Sequence, residues 1–179
     1  MTSCCKDEDS YADISYTLIC SDDLLEYATP EVTYSSNGTV NTFSISEGEW
    51  EETSNSGYTS TTELIIGNET YTKPKKIMTW TKKVHYDKFT TIDDDISVRY
   101  IPKTSIPTGK VFMANFVHQI TATLSYRDDD GNVYNPVLID QNVNIPIDLT
   151  GNSTLSDIIG KFTDYYGFHV ESNGKFSKK

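Results

Sequence analysis

Three histidines, three cysteines and 26 acidic residues are the groups with which this 179-residue chain could do chemistry. None of His85, His118 and His169 stands in an HExxH pattern or another metal-ligand spacing. His85 falls on the polar side of its segment. His118 is the one polar member of an apolar stripe running Phe112, Ala114, Phe116, Ile120, Ala122, Leu124 and Tyr126. An imidazole there is satisfied by a backbone carbonyl, or it joins a carboxylate in a pocket. The first reading is preferred, because the sequence names no partner for it. The run Asp128-Asp129-Asp130-Gly131-Asn132 gathers the oxygens that hard cations take, which makes Asp128 and Asp130 weak metal candidates. It lacks the spaced ligands and terminal Glu of an EF-hand loop, and Asp and Gly favour tight turns for backbone reasons alone. A turn is therefore expected there, and another at Ile92 to Asp95. GxSxG and phosphate-cradling glycine loops are absent. No catalytic residue, metal or cofactor is assigned, and an enzyme is not expected.

Binding is better represented. Trp50 lies among Glu47, Glu49, Glu51 and Glu52, with Tyr58 and Tyr71 further along. Flat aromatic rings flanked by hydrogen-bonding side chains suit stacking against sugar rings. The competing reading tucks Trp50 onto the sheet as a cover residue, and large aromatics are buried on average.

These groups need elements to hold them, and the patterns are strand patterns. Ala12, Ile14, Tyr16, Leu18 and Cys20 alternate with polar residues, as in a half-buried strand. Cys20 then sits on the apolar face as a buried thiol. Bridging to Cys5 is conceivable, but spacing does not decide connectivity, and three cysteines make no disulfide framework. Asn37-Gly38 marks a hairpin. Val40 breaks the register of Phe43 and Ile45, which implies a bulge or a place in the turn. Residues 47 to 63 read as a long exposed connection with room for an edge strand. Trp80, Val84 and Tyr86 share one face, as do Ile96, Val98 and Tyr100. The stripe around His118 and the odd-numbered run Val133, Val137, Ile139, Val143, Ile145, Ile147, Leu149 form the longest hairpin, its second strand placed at an edge or broken by Pro136 and Pro146. Leu155, Ile158, Ile159, Phe162 and Tyr166 follow helical spacing, with Ser153 or Thr154 as N-cap and Gly167 as the stop. The expectation is one antiparallel β-sandwich domain over 11–179, immunoglobulin-like, with a short helix near 153–166.

Composition bounds the partners. A net charge of −11 disfavours nucleic acid, and no apolar run approaches the length of a membrane span. Asn-x-Ser/Thr triplets at Asn37, Asn68 and Asn152 mean glycans only in a eukaryotic secretory route.

The opening MTSCCKDED carries one further signal. Thr2-Ser3-Cys4 matches the last three positions of a bacterial lipobox, with Met1 where Leu is usual. Lys6-Asp7-Glu8-Asp9 resembles the acidic export tag that follows the acylated cysteine in surface lipoproteins of Bacteroidetes. The resemblance covers about ten residues, read as a lipobox remnant and tether. It implies a removed signal peptide, a lipid on Cys4, and a domain held at the outer face of the outer membrane. The function expected from all of this is a non-catalytic surface binding module for a glycan or protein partner. An envelope assembly subunit is the first alternative, and a hydrolase with a loop-built acidic site the second.

Overall fold

The computed structural model describes residues 11–36, 38–53, 61–87, 91–103, 111–128, 130–150 and 154–179. In chain order its elements are β1 (Tyr11–Ser21), α1 (Asp22–Tyr27), β2 (Ala28–Ser36), β3 (Thr39–Ser44), a single 3-10 turn (Glu47–Glu49), β4 (Glu51–Thr53), β5 (Thr61–Ile66), β6 (Glu69–Pro74), β7 (Ile77–Tyr86), β8 (Ile92–Pro102), β9 (Val111–Arg127), β10 (Val133–Tyr134), β11 (Val137–Thr150), α2 (Leu155–Ile159), β12 (Thr163–Val170) and β13 (Phe176–Lys178). The strands form two antiparallel sheets. One has the hydrogen-bonded order β4-β7-β1-β9-β5-β6, with β10 and β11 also on β9; the other runs β13-β12-β8-β2-β3. The protein is an all-β sandwich with two short helices.

Alternation explains the packing. Ile14, Tyr16 and Leu18 of β1 and Phe116, Ile120 and Leu124 of β9 point into the layer between the sheets. They meet Val32 of β2, Ile96 and Val98 of β8, and Phe168 and Val170 of β12 in one core. On one edge of β9, β11 pairs continuously with residues down to Val111. The other edge holds β1 from Arg127 to His118. Because β11 fills its own edge, β5, which pairs Met113 and Phe112, must take the edge that β1 vacates beyond Cys20. There the chain leaves the sheet through α1, whose buried Leu24 and Tyr27 carry it over to the second sheet.

β2 and β3 form the expected hairpin, with Ser36 opposite Thr39 and Gly38 at φ +75°; Asn37 lies outside the described residues. Val40 needs neither bulge nor turn: the β2–β3 register is unbroken and its side chain faces solvent. The turn expected at Ile92 to Asp95 is instead the start of β8, with Asp94 pointing inward. Hydrogen bonds from Tyr86 and Ser35 make an inward carboxyl tolerable there. The C-terminal helix is also shorter than its spacing suggests. A Thr154–Asp157 capping box starts α2, but it ends at Ile159 with Gly160 as C-cap. From Thr163 the residues Asp164, Tyr166, Phe168 and Val170 alternate inward and pair with β8, so Phe162 and Tyr166 lie beyond the helix. β11 is an edge strand, with a register shift between Val137 and Ile139 near its start. Thirteen strands are described, among them a β5–β6 hairpin that turns at Gly67-Asn68.

Candidate functional site

Two constellations of functional groups stand out. The first surrounds His118, which is fully buried on β9. Its Nε2 lies 2.9 Å from Oδ2 of Asp164 on β12, and its Nδ1 lies 2.5 Å from the hydroxyl of Tyr100 on β8. That hydroxyl is in turn 3.3 Å from Sγ of Cys20 on β1. An ionised carboxylate can only accept, so Nε2 carries the proton toward Asp164. In a neutral ring Nδ1 then accepts from Tyr100, whose oxygen accepts from the Cys20 thiol. The expected backbone carbonyl is thus not the partner of His118; a carboxylate and a phenol are.

The protonation states support that assignment. Burial pushes the Tyr100 phenol well above its ordinary value and the Cys20 thiol up to about 12, so both keep their protons. Burial also works to raise the Asp164 carboxyl, but hydrogen bonds from His118 and Tyr166 outweigh it and hold the group below its usual range. Cys20 and His118 belong to one sheet, Tyr100 and Asp164 to the other, so the chain of bonds crosses between the sheets three times. With His118, Tyr100 and Cys20 sealed in the core, its role is that of an inter-sheet brace. Cys20 is a free thiol among the described residues; Cys5 lies outside them.

Asp94 forms a lesser polar cluster. Tyr86 donates to its Oδ2 and Ser35 to its Oδ1, and burial raises its carboxyl. Nearby, the buried hydroxyl of Tyr16 has no hydrogen-bond partner among the described residues.

The second constellation is open to solvent. Ser46 and Glu49 cap the 3-10 turn reciprocally, the Ser46 amide donating to Glu49 Oε2 at 2.8 Å. This fixed turn delivers Trp50, half-buried and packed against the core, to the wall of a cavity of about 580 Å³ at the edge between the sheets. Leu25, Ala28, Ile45 and Met78 supply its other apolar lining; Asp22, Glu26, Glu47, Ser44, Ser46 and Lys103 supply polar groups. Lys103 is anchored, its ammonium 2.6 Å from the Leu25 carbonyl and 3.7 Å from Glu47. Asp22 is likewise fixed, its Oδ1 accepting from the Lys76 amide at 3.1 Å. Trp50 thus covers the core with one region, as a cover residue does, and faces the cavity with another.

No protein-family model, curated protein or solved structure matches this chain. The site is read from its own geometry.

The remaining sequence candidates are dispersed. Tyr71 lies exposed on β6, donates to Glu69 and does not line the Trp50 cavity. Tyr58, Cys4 and Lys6 to Asp9 fall outside the described residues. Asp128 is used by its own turn: Oδ1 accepts from the amides of Asp130 at 3.1 Å and Asn132 at 2.8 Å, and Oδ2 from the Asn132 side chain. Those bonds, with that of Asn132 foremost, lower its carboxyl. Among the described residues no group of three or more His, Cys, Asp and Glu side chains is arranged to hold a metal ion. Sequence reasoning missed Tyr100, Asp164 and Asp94 as polar members of the interior. Continuing the strand alternation through Ile92-Asp94-Ile96 and Asp164-Tyr166-Phe168 would have found them.

Proposed function

We propose that this protein is a surface-anchored binding module whose ligand seat is the Trp50 cavity, with a neutral oligosaccharide as the preferred ligand class. The carrying observation is a half-buried indole held by a capped turn in an open cavity with convergent polar side chains. The volume is in the range of small-ligand sites, and the combination of apolar lining with a few fixed polar groups suits a ring that has both C–H faces and hydroxyls. The resemblance of Thr2-Ser3-Cys4 and Lys6 to Asp9 to a lipobox and export tag supports anchoring through a lipid on Cys4 at the outer face of the outer membrane.

Titration with a panel of soluble oligosaccharides, followed by tryptophan fluorescence and calorimetry, tests the ligand class. A binding sugar should shift the emission, and Trp50→Ala should weaken it at least tenfold with the fold intact by circular dichroism. Unchanged affinity in that variant would remove the cavity from the reading. Anchoring is tested separately, by fatty-acid labelling of the chain expressed behind a lipoprotein leader in a Bacteroidetes host. Label should appear on the parent and be lost in Cys4→Ala.

A further inference from the structure

The end of the sandwich where β1 begins carries an aromatic and aliphatic patch. Val133, Tyr134 and Phe176 are 53%, 43% and 37% exposed, and with Tyr126 and Pro136 they line a second cavity of about 620 Å³. Val137, also exposed, lies along the same edge of β9.

The patch is rigid. Tyr134 stacks on Tyr126 with ring centroids 4.8 Å apart and planes within 13°. Tyr126 donates to the Asn173 carbonyl at 3.0 Å. Gly174 sits at φ +78°, so close to the Tyr126 ring that a Cβ would overlap it. The Tyr134 hydroxyl bonds to Asp128, and Lys175 stands at the rim.

Its place in the topology gives it meaning. Tyr11, the first residue of β1, pairs with Arg127, and Ala12 pairs with Tyr126 of the patch. The chain therefore enters the fold beside these side chains. At the other end of β1 lies Asp22, on the wall of the Trp50 cavity. The eleven residues of β1 set the two sites about 30 Å apart, on opposite ends of the sandwich.

We propose that the patch of Val133, Tyr134 and Phe176 rests on the lipid surface that anchors the chain, which holds the domain upright with the Trp50 cavity facing away. This rests on the proposed anchoring through Cys4. The composition is that of a membrane interface: apolar groups to enter the acyl boundary, a phenol with its hydroxyl at headgroup level, and an ammonium to meet phosphate. The patch is too small to hold the protein on a membrane alone, since such binding scales with buried apolar area. A tether at the same end supplies the missing effective concentration.

The test attaches the chain chemically, so its outcome does not depend on whether cells acylate Cys4. A Cys5→Ser chain is coupled through Cys4 to maleimide lipid in vesicles of phosphatidylethanolamine and phosphatidylglycerol with brominated acyl chains. Phe176→Trp provides the reporter, and the native Trp50 and Trp80 provide the reference. On coupling, the emission added by F176W should fall at least twofold and shift to the blue, while the emission of the otherwise native chain stays unchanged. Adding Val133→Ser and Tyr134→Ser should restore most of the lost emission. An unquenched reporter overturns the proposal, as does equal quenching of the native tryptophans. Dimerisation of the uncoupled chain that disappears in the serine variants would assign the patch to a second copy instead.

Discussion

Tyr16 and Tyr100 invite the same perturbation with opposite results. Both are almost completely buried, and Tyr→Phe removes one oxygen from each while leaving the ring. The Tyr100 hydroxyl bridges Cys20 and His118, so Tyr100→Phe leaves the buried Nδ1 without its donor and the thiol without its acceptor. Its ring stays in place, still edge-on to His118 and packed against Phe162. Losing that bridge and stranding a buried nitrogen costs about 2 kcal/mol, within the range for removing one partner of a buried hydrogen bond. The Tyr16 hydroxyl has no partner among the described residues, so Tyr16→Phe relieves a desolvated polar group and should stabilise by about 1 kcal/mol. For a domain of this size 1 kcal/mol moves Tm by about 2–4 °C, so the two variants should separate by about 6–12 °C in a thermal melt. Urea titration gives the same quantity as a shift in midpoint, and unchanged slopes would show that the denatured state is not the cause. If both variants move in the same direction, or Tyr100→Phe stays within about 0.5 kcal/mol of the parent, the brace does not carry the weight given to it.

Other consequences are as direct. Gly174→Ala must adopt a positive φ and push into the Tyr126 ring, and should cost about 2–4 kcal/mol by the same melts. With Cys4 and Cys5 changed to Ser, Cys20 should not react with a thiol reagent at pH 8 until the protein is unfolded, because burial keeps it protonated. Rapid labelling of the native protein would contradict that. Asp164 titrates lower in the folded than in the unfolded chain, so its contribution is complete at neutral pH and is lost as pH falls below about 4. Asp164→Asn should therefore be less stable than the parent at pH 7, with the gap narrowing toward pH 3; a gap that stays constant would refute the coupling. Asp94 has the reverse sign. Its raised carboxyl opposes folding once ionised, so Asp94→Asn should gain stability relative to the parent as pH rises from 4 to 7.

The parts of the fold that could be read in the sequence are those whose faces differ in polarity. β1 alternates without interruption and β9 breaks only at Val117-His118, and the Asn37-Gly38 dipeptide is a hairpin signal in itself. The errors arise where one pattern imitates another. Leu155, Ile158, Ile159 and Phe162 fit a helical stripe, yet Gly160 stops the helix after five residues and β8 recruits the chain from Thr163 onward. Three consecutive aspartates look like a turn until an inward Asp94 is met by Tyr86 and Ser35. The brace around His118 joins residues 18, 46 and 80 positions apart, so no local signal could assemble it. Trp50 was visible as a candidate, but its cavity depends on α1, β2 and β3 converging at one end of the sandwich.

β1 also determines how the protein bears a load. It is laddered on both sides, to β7 and to β9, with ten antiparallel pairs on each. A pull on the chain ahead of Tyr11, resisted by a ligand held near Asp22, acts along the strand. Inter-strand bonds lie across that direction, so both ladders are strained in shear together and do not unzip one pair at a time. Forced unfolding is governed by the barrier to leaving the native state, and in this geometry the load is shared by twenty pairings. A tether at the other end of the strand would lack this protection.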